Sequence, residues 1–550
     1  MKNIKSIFAV ALGAVALSGC NDLDQAPMSN MITEDQKKEI IENNPEMASA
    51  SVNSLPTMAS SRFALFGSSR NIHTDFGVPS IFLILDHRGQ DMASALLGYQ
   101  WYTAALEMSD FGGTYFDNLI FWRTWYNMIN NCNSICALID PAVENGQMQY
   151  FRAQALAFRG WCYFNLAQMY QFTYAKNPDA PTVPVLTEQN LDQAAADGMA
   201  RASGREIYAQ ILSDYNEALA LLDKAQAAGY TRESQAGGNL TKTFVDQAVV
   251  KGLQARAYLF MQDYDNAATA AQAAIDMAAA KGLEPYSMED VSKPGFKDIN
   301  DKAWMWGFYT DPQGSVAGLV GWAGQMTPWF PDQTYPSAGV YRCINKKLYE
   351  SIPQNDVRKN WWFNDLEMPN TLPSAYQEYL KNPSANGLSD FSPYMTVKFG
   401  AHNDSPGSGD NVNDQDVPFM RVEEMYLILA EAQGMKNPAV GAQTLTTFVS
   451  AYRQPNYVCN AASADIFQEE IWKQRRIELW GEGFSYYDIM RFQKGIDRRG
   501  GGFDPTLVYV VAPDDPVLLF EIILDEAQNN PLIGVVSNGA VKPNAVVDTE

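Results

Sequence analysis

Histidine is scarce in this chain: His73, His87 and His402 are the three among 550 residues, and none sits at the HExxH spacing of a zinc-protease helix. A GxSxG nucleophile elbow is missing too. These gaps leave little footing for metal-assisted or serine hydrolysis. Positive charge is also in short supply, since 40 Lys+Arg against 63 Asp+Glu give a formal net charge of -23. Such a balance argues against a nucleic-acid partner. No Lys/Arg-rich run stands ready for anionic lipid headgroups, and no stretch reaches the roughly 20 apolar residues that span a bilayer. Cysteine is rare, six in all. Cys132 and Cys136 are four apart in a helical stretch, which misplaces their sulfurs for a bridge, so buried free thiols are expected. With 46% hydrophobic residues, the chain can build a large core without covalent staples.

What is present begins at the N-terminus. Lys2 and Lys5 precede an uncharged run from Ile7 to Leu17, then small residues and Cys20, the order of a secretory signal. The run is too short to span a membrane. Leu17-Ser18-Gly19-Cys20 resembles the lipobox of bacterial lipoproteins, which implies loss of residues 1–19 and lipid attachment at Cys20. Several acyl chains there would anchor the protein stably. Asn21-Asp22-Leu23-Asp24 is similar to the export signals that carry such lipoproteins to the surface of Bacteroidetes-type bacteria. The expected location is the outer membrane, facing outward.

The expected layout is a signal peptide at 1–19, a lipidated tether and first helix at 20–47, and one α-rich domain at 48–550. Within that domain, helical periodicity holds at about 150–281 and 420–493. Pro, Gly and aromatics replace alanine at about 283–418, which predicts loops and short strands, Ala303 to Tyr309 among them. Ala255, Tyr258, Ala267, Ala271 and Ala274 follow at intervals of 3, 9, 4 and 3, the tetratricopeptide spacing. Asp263-Tyr264 supplies the turn. A degenerate copy after Tyr426 keeps the twelve-residue interval between Ala430 and Ala442. The predicted fold is mainly α, with tetratricopeptide-like pairs as a scaffold and a loop-rich region building the ligand face. Repeats of this kind make docking surfaces.

Four segments together resemble the SusD/RagB family of surface lipoproteins. They are Phe151 to Leu166 with Pro181 to Leu186; Ile344 to Tyr349 with Asp356-Val357-Arg358-Lys359; Pro418 to Ala432; and Gln474 to Arg491, with a terminal Asn530-Pro531. Gln474 stands where an acidic residue is common in the family, and Phe484-Ser485 replaces a more usual arginine-containing pair. The resemblance implies capture of a polysaccharide or oligosaccharide and its delivery to a SusC-like TonB-dependent transporter, without catalysis.

Glu478, Glu482 and Asp488 near Arg475, Arg476 and Arg491 suggest an acid–base cluster at first sight. Glu478 and Glu482 are i,i+4 and the arginines lie within one turn of a carboxylate, which predicts local ion pairs instead. The loop Asp404 to Asp416, with Asp410, Asn413, Asp414 and Asp416, offers hard oxygen ligands for calcium but lacks the EF-hand order, so no metal or other cofactor is assigned. A sugar ring stacks its apolar face on an indole, which draws attention to the 12 tryptophans. Trp101 and Tyr102 follow the polar run containing Asp86, Arg88 and Asp91, a region that supplies ligand contacts in relatives. Trp322 and Trp329 lie in a Gly/Pro-rich loop where relatives place an aromatic platform. These seven are the expected ligand-binding residues. Trp304 and Trp306 share one strand face and are expected in the core, while one of Trp361 and Trp362 is expected to face out. Two other readings stay open: capture of peptides or another non-sugar nutrient, and a surface glycoside hydrolase with two convergent carboxylates.

Overall fold

The N-terminal half folds into the helices α1 Glu46–Ala59, α2 Val78–Arg88, α3 Phe116–Leu138, α4 Gly146–Met169, α5 Gly204–Ala227, α6 Gln247–Phe260 and α7 Tyr264–Ala279, the last four begun by the polar caps Asn145, Ser203, Asp246 and Asp263. Within the loop-rich middle lies the short helix α8 Trp322–Met326, and after it come α9 Val422–Lys436, α10 Pro438–Tyr452, α11 Ala464–Glu478 and α12 Ser485–Arg491. This computed structural model describes residues 44, 46–62, 72–95, 97, 101–314, 316–330, 334–382, 386–388, 390–407, 413–534 and 536–549. The chain divides into two units, Met1–Met47 and Ala48–Glu550, and the elements that position the site belong to the second. Cys20, the leader and nearly all of the tether fall outside the described residues, as does Asp410. No helix among the described residues is long and apolar enough to cross a membrane.

The fold is mainly helical and tetratricopeptide-like. Helices α3, α4 and α5 pack in succession, α5 meets α6, and the chain of contacts runs on through α7 and α9 to α10 and α11. The repeat alanines explain the close approach: Ala255, Ala267, Ala271 and Ala274 are all fully buried between α6 and α7. Asp263 caps α7 by accepting from the Asn266 amide. At the degenerate copy the contact is tighter. A Cβ on Gly441 would lie 2.3 Å from the Gly434 Cα, so α9 and α10 cross where neither has a side chain.

The strands are short antiparallel pairs: β1 Met92–Ala93 with β5 Cys343–Ile344, β2 Pro181–Pro184 with β3 Arg201–Ser203, β4 Trp304–Phe308 with β6 Val417–Arg421, and β7 Ile496–Asp497 with β8 Val510–Val511. Trp304 and Trp306 are buried as expected. Two boundaries differ from the periodicity. Met420 and Arg421 belong to β6, because pairing with β4 claims their backbone before α9 begins. The helical pattern at 464–493 breaks between α11 and α12, where Gly481 and Gly483 take φ of 75° and 84°, a region that favours glycine. Trp361 and Trp362 are both buried, since neighbouring segments cover both faces and neither ring looks outward.

The carboxylate cluster is an ion-pair network, yet its partners are distant in sequence. Glu478 faces Arg358 at 3.3 Å, Arg421 at 3.3 Å and Arg453 at 2.7 Å. Glu482 pairs with Lys398 at 2.6 Å and Arg421 at 2.8 Å. Asp488 follows the expected local pattern with Arg491 at 2.6 Å, three residues on, and pairs across the α11–α12 break with Arg475 at 2.8 Å. Gln474 joins in as a neutral acceptor for the Arg358 guanidinium at 2.6 Å. These charges weld the loop-rich middle to the C-terminal helices. The five described cysteines are all free and buried.

Candidate functional site

Trp101 sits just before the short helix Thr103–Leu106, with Tyr102 as the residue preceding its first turn. Among the seven residues expected to touch ligand, Trp101 is the one that stays half-buried, with surface still open to solvent. The imidazole of His73 stacks on the indole, ring centroids 4.9 Å apart and planes 28° from parallel. His73 in turn meets Tyr335 edge-on at 6.0 Å, and its Nδ1 shares a hydrogen bond with the Tyr335 hydroxyl. Burial and the nearby charge of Arg62 hold the His73 pKa below the ordinary histidine value, so the ring is neutral in neutral solution.

Behind this pair stands a polar relay. Gln325 of α8 donates from Nε2 to the His73 carbonyl at 3.3 Å, and its Oε1 accepts from Arg342 at 2.9 Å. The Arg342 guanidinium lies over the Tyr102 ring at 5.1 Å, and His87 packs on Tyr102 with centroids 4.6 Å apart. Burial draws Arg342 down to about 10, still cationic at neutral pH. Segments more than 200 residues apart thus converge on Trp101: the stretch before α2, α8 and the run leading into β5. Together they hold the Trp101 indole in place with part of its surface open to stack on a flat apolar face.

The other six expected contact residues lie inside. Tyr102 is fully covered by His87 and Arg342. Asp86 accepts from the Gly483 amide at 3.0 Å, and burial pushes its carboxyl up to about 8. Arg88 is paired with Asp110 and donates to the Val517 carbonyl. Asp91 accepts from Arg476 and from the Ser485 hydroxyl. In sequence the polar run from Asp86 to Asp91 reads as a solvent-facing rim, but in the fold it is the seam joining α2 to α11 and α12. Trp322 packs edge-on against Phe399 at 4.6 Å, and Trp329 donates from Nε1 to the Phe399 carbonyl at 2.6 Å. Both indoles are buried at 5% and 0% exposure, so they fill an aromatic core rather than form a shelf. Direct ligand contact by these six is therefore set aside on grounds of access.

Sequence reasoning misses His73, Gln325, Tyr335 and Arg342. Locally His73 is marked only as a histidine without metal spacing, and no pattern links it to partners 252 and 262 residues away. Away from Trp101, a concavity of about 530 Å³ opens between α1 and β4, with Phe158, Trp306, Phe308 and Phe419 in its lining and Asn53 and Gln235 among its polar groups. In the acidic loop, protein donors already face the oxygens: Lys297 pairs with Asp404, His402 with Asp414 at 3.0 Å, and the Ile299 and Thr310 amides donate to Asp416 at 2.9 and 2.8 Å. Among the described residues, no group of three or more His, Cys, Asp or Glu could hold a metal ion.

A family model described as "Starch-binding associating with outer membrane" matches residues 84–237, and one described as "SusD family" matches residues 341–518. Together they take in more than half of the chain. A SusD-like carbohydrate binding protein from Bacteroides vulgatus is 23% identical, covers 89% of this chain and 97% of its own, and superposes with a TM-score of 0.70. A laminarin binding SusD-like protein is 18% identical over 90% of this chain and 99% of its own, with a TM-score of 0.60. Surface glycan-binding protein A from Bacteroides thetaiotaomicron, solved with laminarihexaose, is 16% identical over 91% and 99%, also with a TM-score of 0.60. No curated protein matches the chain. With both family models in chain order on this helical scaffold, the chain belongs to the SusD/RagB family.

Proposed function

We propose that this protein is a cell-surface lipoprotein, anchored to the outer membrane through Cys20, that binds a polysaccharide or oligosaccharide and delivers it to a SusC-like TonB-dependent transporter without covalent chemistry. The reading rests on Trp101, an indole braced on one side by His73 and still open to solvent. An aromatic face is what the apolar face of a pyranose ring stacks on. Glycan-binding relatives of the same fold support the ligand class. Glu478 and Glu482, candidates in the sequence for the pair of carboxylates that a glycosidase converges on a scissile bond, are held by cations in the interior.

The test is incubation of the purified protein with a panel of glycans. Retention without shortening of the chains fits the proposal; product accumulating with time would replace it with the hydrolase reading, and retention of peptides alone would favour the non-sugar alternative. Trp101→Ala is expected to weaken retention by about 1–3 kcal/mol, the scale of losses at aromatic stacking platforms. Mass spectrometry of membrane material checks the anchor, with acylated Cys20 expected as the first residue and an intact leader counting against it.

A further inference from the structure

We infer that His73 is the positioning residue of the binding shelf: it seals one face of Trp101, fixes the ring's orientation, and so leaves a single face for a sugar ring to stack on. The inference rests on the reading of Trp101 as the ligand platform and adds how that platform is set. An indole in a surface turn has several rotamers, and a ligand that needs one of them must bear the cost of selecting it. Here the choice is made beforehand. The imidazole lies nearly parallel to the indole at 4.9 Å, and it cannot swing away freely, because the Tyr335 hydroxyl holds Nδ1 and Gln325 holds the backbone carbonyl of the same residue.

Both restraints are themselves anchored. Tyr335 is 1% exposed, and Gln325, fully buried, is fixed by Arg342, whose guanidinium also lies over Tyr102, the residue next to Trp101. Two routes therefore lead to the same indole, one through the His73 ring and one through the backbone of Tyr102. Specificity is affected as well. With one face closed, the shelf suits a ligand that presents one flat apolar face at a time, and it excludes one that would sandwich the indole between two of its units.

The test uses the full chain labelled with 5-fluorotryptophan, the Trp101 resonance being identified by its loss in Trp101→Phe. Wild type is expected to give one narrow Trp101 line. His73→Ala should shift and broaden or split that line, while His73→Phe, which restores a stacked ring, should return it to a single narrow one. An unchanged line in His73→Ala overturns the inference. Should His73→Ala fail to fold, Tyr335→Phe takes its place, since it removes only the hydroxyl that holds Nδ1; an unchanged line there is equally fatal.

Laminarihexaose supplies the binding arm. Retention should fall about two- to tenfold in His73→Ala, the worth of one aromatic pair, and recover in His73→Phe. If Trp101→Ala leaves retention intact while His73→Ala disturbs the resonance, the platform reading fails and the positioning stands. If Trp101→Ala weakens retention and His73→Ala changes neither signal, the positioning fails and the platform stands.

Discussion

Replacing Glu478 by glutamine removes one charge from the centre of the buried network while keeping the side chain's shape. Glu478 Oε1 and Oε2 accept from Arg453 at 2.8 and 2.7 Å, and Arg358 and Arg421 each approach within 3.3 Å. Four cations, Arg358, Lys398, Arg421 and Arg453, face four carboxylates, Asp356, Glu423, Glu478 and Glu482. The cluster is balanced, and neutralising Glu478 leaves one buried positive charge in excess. Removing one partner of a buried pair costs about 3–5 kcal/mol. The lower end applies here, because Arg358 keeps Asp356 at 2.6 Å, Arg421 keeps Glu482 at 2.8 Å and Arg453 keeps Glu423 at 3.1 Å. Urea unfolding of Glu478→Gln should therefore show a loss of about 3 kcal/mol, with glycan retention of the folded protein unchanged.

The same contacts set the pH dependence. The three arginines outweigh the burial penalty and hold the Glu478 carboxyl well below the ordinary glutamate value. Its stabilising contribution is thus present above the unfolded-state pKa of about 4.3 and is lost as pH falls towards the folded value. The gap between wild type and variant should narrow in acid. A loss below about 1 kcal/mol at neutral pH would put the network on the scale of an exposed pair, and the account of Glu478 as its charge-balancing centre would fall.

Asp86 titrates in the opposite sense: its folded pKa of about 8 lies above the unfolded value of about 3.9, so its contribution is complete below about 4 and is lost as pH rises through 8. Asp86→Asn should gain in melting temperature relative to wild type between pH 5 and pH 9, and a constant difference would count against it. Gly441→Ala would press a methyl against the Gly434 backbone 2.3 Å away; overpacking of this kind costs about 1–3 kcal/mol, measurable by urea unfolding, and an unaltered midpoint would show that α9 and α10 can separate freely. Cys132 and Cys136 are buried, with thiol pKa values raised by desolvation. Both should resist iodoacetamide in the native protein and react once it is unfolded, whereas prompt native labelling would contradict their burial.

The helical scaffold is legible in the sequence because its signals are local. The alanine spacing from Ala255 to Ala274 specifies a close helix pair, and the pair appears where the spacing puts it, with Asp263 of the expected turn capping the second helix and Tyr264 already inside it. The alternation of Trp304 and Trp306 likewise carried their burial. The site itself depends on contacts between distant segments. A charged run such as Asp86 to Asp91 looks solvent-facing until its partners Gly483, Arg476 and Ser485 arrive from nearly 400 residues away. Tryptophan is equally ambiguous, since an indole packs as readily edge-on against Phe399 or Tyr376 as it stacks on a ligand. Whether a ring becomes core or shelf depends on how many neighbours close over it. Those neighbours, His73 and Tyr335 around Trp101, are brought together by folding across some 260 residues, a separation over which no residue pattern carries information.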